Sequence, residues 1–206
     1  MITIIIIIVT CLISITAFGK SELMYKLQLN PYQVIHRKQW YRLLSHGFLH
    51  ADWVHLLVNM FVLYVIGTAV ENFLKELQAS GVIKYPNINY LLLYFGGIIL
   101  ATLTTLKKHK DNHWYNSVGA SGAVSAIIFT YIFFAPLKKL YLYGIIGIPG
   151  ILFGIFYLIY SHYMSRKGKD NINHDAHFIG AVFGFIFPVI MNFRLISYFF
   201  DQIMNR

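Results

Sequence analysis

The chain has 206 residues, of which 57% are hydrophobic and only 12% are charged, and its mean hydropathy is +0.59. A soluble domain is usually roughly 45–50% apolar and about 25% charged, so this composition excludes an ordinary soluble protein and indicates one that crosses a membrane repeatedly. The formal net charge of +9 indicates contact with anionic lipid headgroups rather than nucleic acid, because no basic helix stands apart from the apolar segments.

Apolar segments that approach the roughly 20 residues of a membrane-spanning helix occur six times along the chain. In chain order they cover residues 2–18, 53–73, 89–106, 117–136, 140–163 and 176–200. The first lacks the basic start of a signal peptide, so we expect it to be a retained span. Pro149 and Gly150 lie inside the fifth and predict a kink or a break there. The predicted fold is an all-α membrane protein with six transmembrane helices, in a single domain over residues 1–206.

The connection between the first two segments, residues 19–52, is long and contains many aromatic and basic residues. Loops of this length are usually functional. Two stretches within it, WYRLL and HGFLH, predict short helices that lie in the membrane interface. The other connections are short and charged.

Polar residues stand near the entrances of the second, fourth and sixth segments, which all enter the membrane from one face. His55 and Asn59 open the second segment, Ser121 opens the fourth, and His177 opens the sixth. Polar and ionisable groups inside a membrane are costly, so each is a candidate functional residue. Their common side is the observation on which the functional prediction depends.

These residue types suit nucleophilic catalysis. A serine hydroxyl such as that of Ser121 is a weak nucleophile until a base takes its proton, and His177 is a candidate for that base. His55 and Asn59 are four residues apart and share one helix face, from which both can donate to an oxyanion. The backbone N–H of Ser121 is a further donor at a helix N-terminus, and Gly119 lets backbone and substrate approach closely.

Helix packing is the alternative explanation for several of these features. Ala176, Gly180 and Gly184 repeat every fourth residue, and such stripes of small residues let helices approach closely. Ser121 alone fits packing of this kind, and His177 alone fits a structural histidine. The packing explanation weakens because the polar residues of three segments fall on the same side.

A third catalytic acid and a metal site are both disfavoured by the sequence. Asp175 stands two positions before His177, about 200° around a helix, so we expect it to be a solvated helix cap. The chain has one cysteine, Cys11, and therefore no intrachain disulfide or cysteine-based metal site. A histidine cluster lacks the H-E-x-x-H pattern and acidic partners at ligand spacing, so no metal and no cofactor are predicted. The histidines considered for it are His46, His50, His174 and His177.

Taken together, these motifs resemble those of the rhomboid intramembrane serine proteases. The resemblance covers residues 40–184 and rests on WYRLLSHGFLH, HLLVN, GASG and AHFIGAVFG in this order, with Glu71 also matching. It implies a Ser121–His177 dyad without a third acid, and an internal tether at Arg42. The implied oxyanion site consists of His55, Asn59 and the Ser121 backbone N–H, with Gly119 beside it.

The same resemblance implies the partners and the location. Family substrates are single-span membrane proteins that are cut within or next to the span, so the expected partners are transmembrane proteins and the lipid bilayer. The expected location is a cell membrane, most simply the plasma membrane of a bacterium, with the site open to the outside. The alternative is a catalytically silent rhomboid-like protein that binds client transmembrane helices.

Basic residues favour the opposite orientation from the one that the family implies. With the site outside, most of them lie in outer loops, whereas the positive-inside rule places them in the cytoplasm. The basic residues of the expected outer loops are Lys20, Lys26, Arg37, Lys38, Arg42, Lys107, Lys108, Lys110, Arg166, Lys167 and Lys169.

Overall fold

The computed structural model describes residues 1–142, 145–168, 170 and 172–204, which are mostly helical. The first helices are α1 (Ile2–Phe18), α2 (Ser21–Leu27), α3 (Pro31–Arg37), α4 (Arg42–Ser45), α5 (Trp53–Val62) and α6 (Thr68–Ala79). They are followed by α7 (Pro86–Ala101), α8 (Leu103–His109), α9 (Ser121–Phe134), strands β1 (Lys139–Leu142) and β2 (Ile146–Pro149), α10 (Gly150–Lys167), α11 (His174–Met191) and α12 (Leu195–Met204).

Residues 19–52, between α1 and α5, contain α2, α3 and α4, and α4 continues into a 3₁₀ turn at His46–Phe48. The buried side chain of Arg42 stabilises this segment. Its guanidinium donates to the carbonyl oxygens of Tyr25 (2.8 Å) and Gln28 (2.7 Å) and to the Gln39 side chain (2.7 Å). A charged donor that satisfies three acceptors fixes the C-terminal end of α2 against the start of α4.

One continuous helix runs from α5 into α6 through a π-helical turn at Leu63–Gly67. Glu71 on α6 binds the start of α1, because its carboxylate accepts hydrogen bonds from the backbone N–H of Ile2 and from the N–H and hydroxyl of Thr3. A carboxylate is favourable at a helix N-terminus, where backbone N–H groups are unpaired. Glu71 therefore joins α1 to α6 at the end opposite the start of α5.

The third and fourth predicted segments have different ends in the structure. The third begins at Pro86 and is interrupted at Thr102, whose hydroxyl donates to the Ile99 carbonyl (2.7 Å). Such back-bonding competes with the helical ladder. The fourth begins at Ser121 instead of residue 117, because Gly119 has φ +123°, which no helix accommodates. It ends at Phe134, before Pro136.

Small residues set the distance between α9 and α11. A Cβ at Gly180 would collide with the Gly122 carbonyl, and one at Gly184 would collide with the Ala126 backbone. The Thr130 hydroxyl also donates to the Gly184 carbonyl across this contact (2.7 Å). The packing role expected for the glycine stripe of α11 is thus present, and it brings the starts of both helices together.

The prediction of a fifth helical segment from residue 140 is wrong at its start. Residues 139–142 and 146–149 pair as an antiparallel hairpin, with Leu140 opposite Ile148, and α10 begins only at Gly150. Pro149 ends the strand and precedes the helix instead of kinking it, since proline has no N–H for a ladder bond. The β-branched isoleucines of 145–148 suit a strand.

The sixth predicted segment, residues 176–200, is also divided. α11 ends at Met191, and α12 follows as a separate helix. Asn192 makes the break, because its side chain donates to the Val82 carbonyl (3.0 Å) and accepts from the Arg194 N–H (3.0 Å). A side chain that binds backbone groups on both sides stabilises a turn at the expense of the helix.

Among the described residues, three helices are long and apolar enough to cross a membrane: Trp53–Ala79, Pro86–His109 and His174–Met191. Ile2–Phe18 and Ser121–Phe134 are shorter apolar helices. α9 is buried along most of its length among these helices. The protein is therefore a largely helical membrane-embedded protein with α9 at its centre.

Candidate active site

A cavity of about 1090 Å³ lies where α5, α9 and α11 begin. Its wall includes all five residues that the sequence predicted for the site, namely Ser121, His177, His55, Asn59 and Gly119. Asp52 and Trp114, which are exposed loop residues, also line it, so the cavity opens at this end of the molecule. The tertiary structure thus brings together residues that are up to 122 positions apart in the chain.

The turn before Ser121 is held by hydrogen bonds from the segment between α1 and α5. Leu29 and Ser117 exchange two backbone hydrogen bonds of 2.9 Å, and the Gly119 N–H donates to the His46 carbonyl (3.0 Å). Gly119 adopts its positive φ here, which a residue with a side chain rarely does. The conformation of the turn that precedes Ser121 is therefore stabilised by hydrogen bonds to residues outside α9.

Ser121 is the first residue of α9 and is partly exposed to the cavity. Among the described residues, its backbone N–H donates to no protein acceptor. The first N–H groups of a helix have no intrahelical partner, and the helix dipole favours negative charge beside them. The position therefore offers a nucleophilic oxygen and an anion-stabilising donor on the same residue.

His55 packs directly against Gly119. A Cβ at Gly119 would lie 2.7 Å from Cε1 and 2.9 Å from Nε2 of the His55 ring, so only glycine leaves room for it. The Ala51 N–H donates to His55 Nδ1 (3.4 Å), which assigns the ring proton to Nε2. That N–H lies beside the Gly119 turn and is the second donor of the cavity.

Asn59 lies one helical turn beyond His55 and is buried. Its side-chain N–H₂ donates to the His55 carbonyl (2.8 Å), within its own helix. An amide nitrogen carries two hydrogens, so this bond fixes the side chain and leaves a second N–H for the cavity. The shared helix face predicted for these two residues is the face that lines the cavity.

His177 lies in the first turn of α11 and is half-buried between two other rings. The Tyr157 ring is 6.4 Å from it at an angle of 27°, and the His174 ring is 5.9 Å from it at 79°. Within the described ranges, the His177 ring forms no hydrogen bond with the Ser121 hydroxyl. The imidazole and the hydroxyl face one cavity from neighbouring helices without being bonded to each other.

In the described part of the chain, Asp175 forms no hydrogen bond with His177, and it is not the solvated cap that the sequence predicted. Its carboxylate forms an ion pair with Lys108 of α8, and the cap of α11 is Asn173, whose side chain accepts from the Ala176 N–H (3.1 Å). Asp175 thus ties α8 to α11. In the part of the chain that the structure describes, no three His, Cys, Asp or Glu side chains gather as metal ligands.

His46 and His50, which belong to the loop before α5, are buried. Burial lowers the pKa of His46 to about 4 and that of His50 to about 3, because desolvation disfavours the charged ring. The His46 ring is 3.0 Å from the Arg42 carbonyl, and the His50 ring is 3.0 Å from the Ser14 hydroxyl. Both therefore act as neutral structural groups that support the turn and the wall of the cavity.

The sequence did not single out Tyr157, which lines the cavity from α10. Its hydroxyl is 2.6 Å from the hydroxyl of Ser125, one turn into α9 from Ser121. Tyr157 is one of 15 tyrosines in a chain with 17% aromatic residues, so composition and spacing contain no signal for it. Only the packing of α10 on α9 and α11 identifies it.

Comparison with known proteins identifies a domain family that most of the chain matches. The Rhomboid domain, as a family model, matches residues 37–193. RHOMBOID-like protein 12, mitochondrial, of Arabidopsis thaliana is 31% identical over 144 residues, which are 68% of this chain and 43% of that protein. YdcA of Bacillus subtilis (strain 168) is 29% identical over 148 residues, 72% of this chain and 65% of its own length.

Rhomboid protease GluP of Bacillus subtilis (strain 168) is 26% identical over 172 residues, which are 84% of this chain and 28% of that protein. The chain spans less than two thirds of the length of each of these relatives. The domain match nevertheless extends from the end of α3 to just beyond the end of α11, and it includes the five predicted site residues and Tyr157. This chain belongs to the rhomboid family.

Proposed function

We propose that this protein is an intramembrane serine endopeptidase that cleaves single-span membrane proteins within or next to the transmembrane segment. The observation that carries the proposal is an open cavity whose wall contains a serine at the N-terminus of α9 and an imidazole on α11, which packs against α9. The name of GluP, a rhomboid protease that is 26% identical over 172 residues, supports the same activity.

In the proposed reaction, His177 takes the proton of the Ser121 hydroxyl while Oγ attacks the scissile carbonyl carbon. The tetrahedral oxyanion accepts hydrogen bonds from the Ser121 N–H, from His55 Nε2–H and from Asn59. His177 then gives its proton to the leaving amine, and a water molecule hydrolyses the acyl-enzyme in the same way. The first step requires the hydroxyl and the imidazole to come within hydrogen-bond reach, and such contacts tighten when substrate fills a site.

We also propose that the bilayer is crossed six times. The proposed spans are α1, α5 with α6, α7 with α8, α9, α10 and α11. Odd and even spans then run in opposite directions, so that α5, α9 and α11 begin on one face, with the cavity open to water there. The proposed location is the plasma membrane of a bacterium, with the cavity on the outer side.

A fluorophosphonate probe tests the chemistry. The probe phosphonylates only an activated serine, so we expect the purified wild type to be labelled at Ser121 and the Ser121→Ala and His177→Ala variants to stay unlabelled. Ser165→Ala is the matched control, because Ser165 lies at the far end of α10, is partly exposed and donates its hydroxyl to the His162 carbonyl of its own helix.

Cleavage of a single-span model substrate in liposomes is the second measurement. We expect Ser121→Ala to abolish cleavage with an unchanged thermal melting temperature. Cleavage by Ser121→Ala would refute the mechanism, and a folded wild type that neither labels nor cleaves would identify the chain as a silent binder of client helices.

A further inference from the structure

Tyr157 lines the cavity, although the proposed reaction gives it no role. It belongs to α10, a helix that supplies no other predicted site residue. Its ring lies nearly parallel to the His177 ring, with centroids 6.4 Å apart at 27°. An aromatic neighbour at this distance and angle restricts the rotation of an imidazole and packs favourably against it.

The phenol hydroxyl of Tyr157 is anchored to the helix that carries the serine. Tyr157 Oη and Ser125 Oγ are 2.6 Å apart, and Ser125 is buried at 2% exposure. Ser125 follows Ser121 by one helical turn, so both hydroxyls lie on the same face of α9. The bond therefore fixes the ring of Tyr157 relative to the same helix that positions the candidate nucleophile.

Two further aromatic rings pack against Tyr157. Phe153, one turn earlier on α10, stacks on it at 5.8 Å, and Phe129 of α9 contacts it at 5.5 Å. With its hydroxyl bonded and its partly buried ring in contact with Phe153, Phe129 and His177, Tyr157 has restricted rotamer freedom. Among the residues that the structure describes, no acid is hydrogen-bonded to the His177 imidazole, so the neighbouring ring can supply the orientation that an acid supplies in a triad.

We propose that Tyr157 is a positioning residue, which orients the imidazole of His177 towards Ser121 through ring packing and is itself held by the Ser125 hydroxyl. The proposal rests on the proposed function in naming His177 as the base. It adds α10 to the elements that determine the catalytic geometry, because a displacement of α10 from α9 breaks the Tyr157–Ser125 bond and removes the ring beside His177.

Fluorophosphonate labelling of three variants tests the proposal. We expect Tyr157→Leu to lower the labelling rate by about 10- to 100-fold, since small misplacements of reacting groups cost factors of this order. Tyr157→Phe retains the ring and should keep most of the rate. Phe156→Leu is the control, because Phe156 is the exposed neighbour on α10, and it should label at the wild-type rate.

The anchoring bond is tested by a double-mutant cycle. Tyr157→Phe and Ser125→Ala each remove one partner of the same bond, so we expect equal, small losses of labelling rate and no further loss in the double variant. Losses that multiply in the double variant would show that Ser125 does not act through Tyr157. These variants also carry the test if Tyr157→Leu does not fold.

A positioning role is separated from a merely structural one by two readouts. With a cleavable substrate, the folded Tyr157→Leu protein should show a lower kcat with little change in KM. The second readout is nuclear magnetic resonance of protein with isotope-labelled histidines. The chemical shifts of the His177 ring should change in Tyr157→Leu and stay near the wild-type values in Tyr157→Phe. Wild-type labelling and His177 signals in Tyr157→Leu would overturn the proposal.

The magnetic-resonance readout also keeps the two proposals distinguishable. An unlabelled wild type contradicts the proposed function, whereas the His177 signals still report whether Tyr157 orients the ring. A labelled wild type with unaffected Tyr157 variants contradicts only the role of Tyr157.

Discussion

The backbone at Gly119 determines where the Ser121 hydroxyl points. Its φ of +123° turns the chain sharply, and its N–H donates to the His46 carbonyl. The His55 ring fills the space that a side chain would occupy. A single residue thus satisfies a backbone requirement and a packing requirement at once, which explains why glycine stands two positions before the serine.

Asn59 belongs to the proposed oxyanion site, and its replacement should therefore slow the chemical step. We expect Asn59→Ala to lower kcat by about 100- to 1,000-fold, the loss found when one oxyanion donor is removed, with little change in KM. Steady-state cleavage in liposomes measures both constants. Asn72→Ala, on the exposed part of α6, is the control and should keep the wild-type rate. A wild-type kcat in Asn59→Ala would exclude it as a donor.

The buried His46 predicts a dependence of stability on pH. Its pKa is lowered to about 4 in the folded protein, whereas an unfolded chain binds the same proton near pH 6.5. Between these values the unfolded state binds more protons, so the free energy of unfolding decreases as the pH falls from about 6.5 towards 4. Thermal melts at pH 7 and pH 5 measure this loss.

The His46→Gln variant isolates the contribution of this residue. It should show a smaller difference in melting temperature between the two pH values than the wild type, because the titrating ring is absent. Val34→Ala, another buried change in the same segment, should lower both melting temperatures without changing their difference. An unchanged pH difference in His46→Gln would show that another group causes the acid sensitivity.

Two helices, α9 and α11, carry the candidate nucleophile and base, and their separation depends on glycines. At Gly180 an added Cβ meets the backbone of Gly122 on α9, which cannot rotate away. At Gly96 an added Cβ meets only the Phe183 side chain, at 2.9 Å, and that side chain can adjust. The two glycines are therefore a matched pair for testing close backbone contact.

Gly180→Ala should destabilise the protein by at least about 1–3 kcal/mol, the usual cost of overpacking a well-packed contact. Gly96→Ala should cost less. The measurement is unfolding in detergent micelles, followed by probe labelling of the fraction that remains folded. Because α11 carries His177, we also expect Gly180→Ala to lose labelling while it is still folded. Equal effects of the two changes would contradict a special role for the α9–α11 contact.

At the scale of the whole molecule, the chain has two ends of different character. α5, α9 and α11 all begin at the end that contains the cavity, where the short helices of residues 19–52 also lie. The opposite end contains the contact of Glu71 with the start of α1 and the β1–β2 hairpin. A chemical site at one end of a membrane protein faces one side of the bilayer, so its orientation has functional consequences.

Cysteine labelling tests the orientation. Lys110 follows α8 at the cavity end, and Ser80 follows α6 at the opposite end, and both are exposed. In a Cys11→Ser background, we expect an impermeant maleimide to label Lys110→Cys in intact cells and to label Ser80→Cys only after the membrane is opened. The reverse pattern would mean that the basic residues, not the family orientation, determine the sidedness. Labelling of both from one side would contradict the arrangement of spans.

The sequence alone determined the class of protein and indicated five of the residues that line the cavity. Apolar runs separated by charged loops specify membrane-embedded helices because an unpaired backbone cannot enter lipid. Rare polar residues at the same depth in alternate segments then indicated Ser121, His177, His55, Asn59 and Gly119, all of which line one cavity.

The exact ends of the helices required the tertiary structure. A hairpin replaces the predicted start of the fifth segment. Asn192 divides the sixth, because its side chain binds the backbone of the distant Val82, a partner that local periodicity does not reveal. Apolar residues of 140–149 suit a strand and a lipid-facing helix equally well, so hydropathy cannot distinguish the two.

Contacts between helices were likewise decided only in three dimensions. The pairing of Asp175 with Lys108 and the packing of Tyr157 against His177 join residues that are far apart in the chain or belong to different helices. The sequence pattern shows which face of a helix is polar. Which residues contact that face depends on how closely α9, α10 and α11 approach one another. That distance follows from the glycines at their contacts, and it exists only in the folded protein.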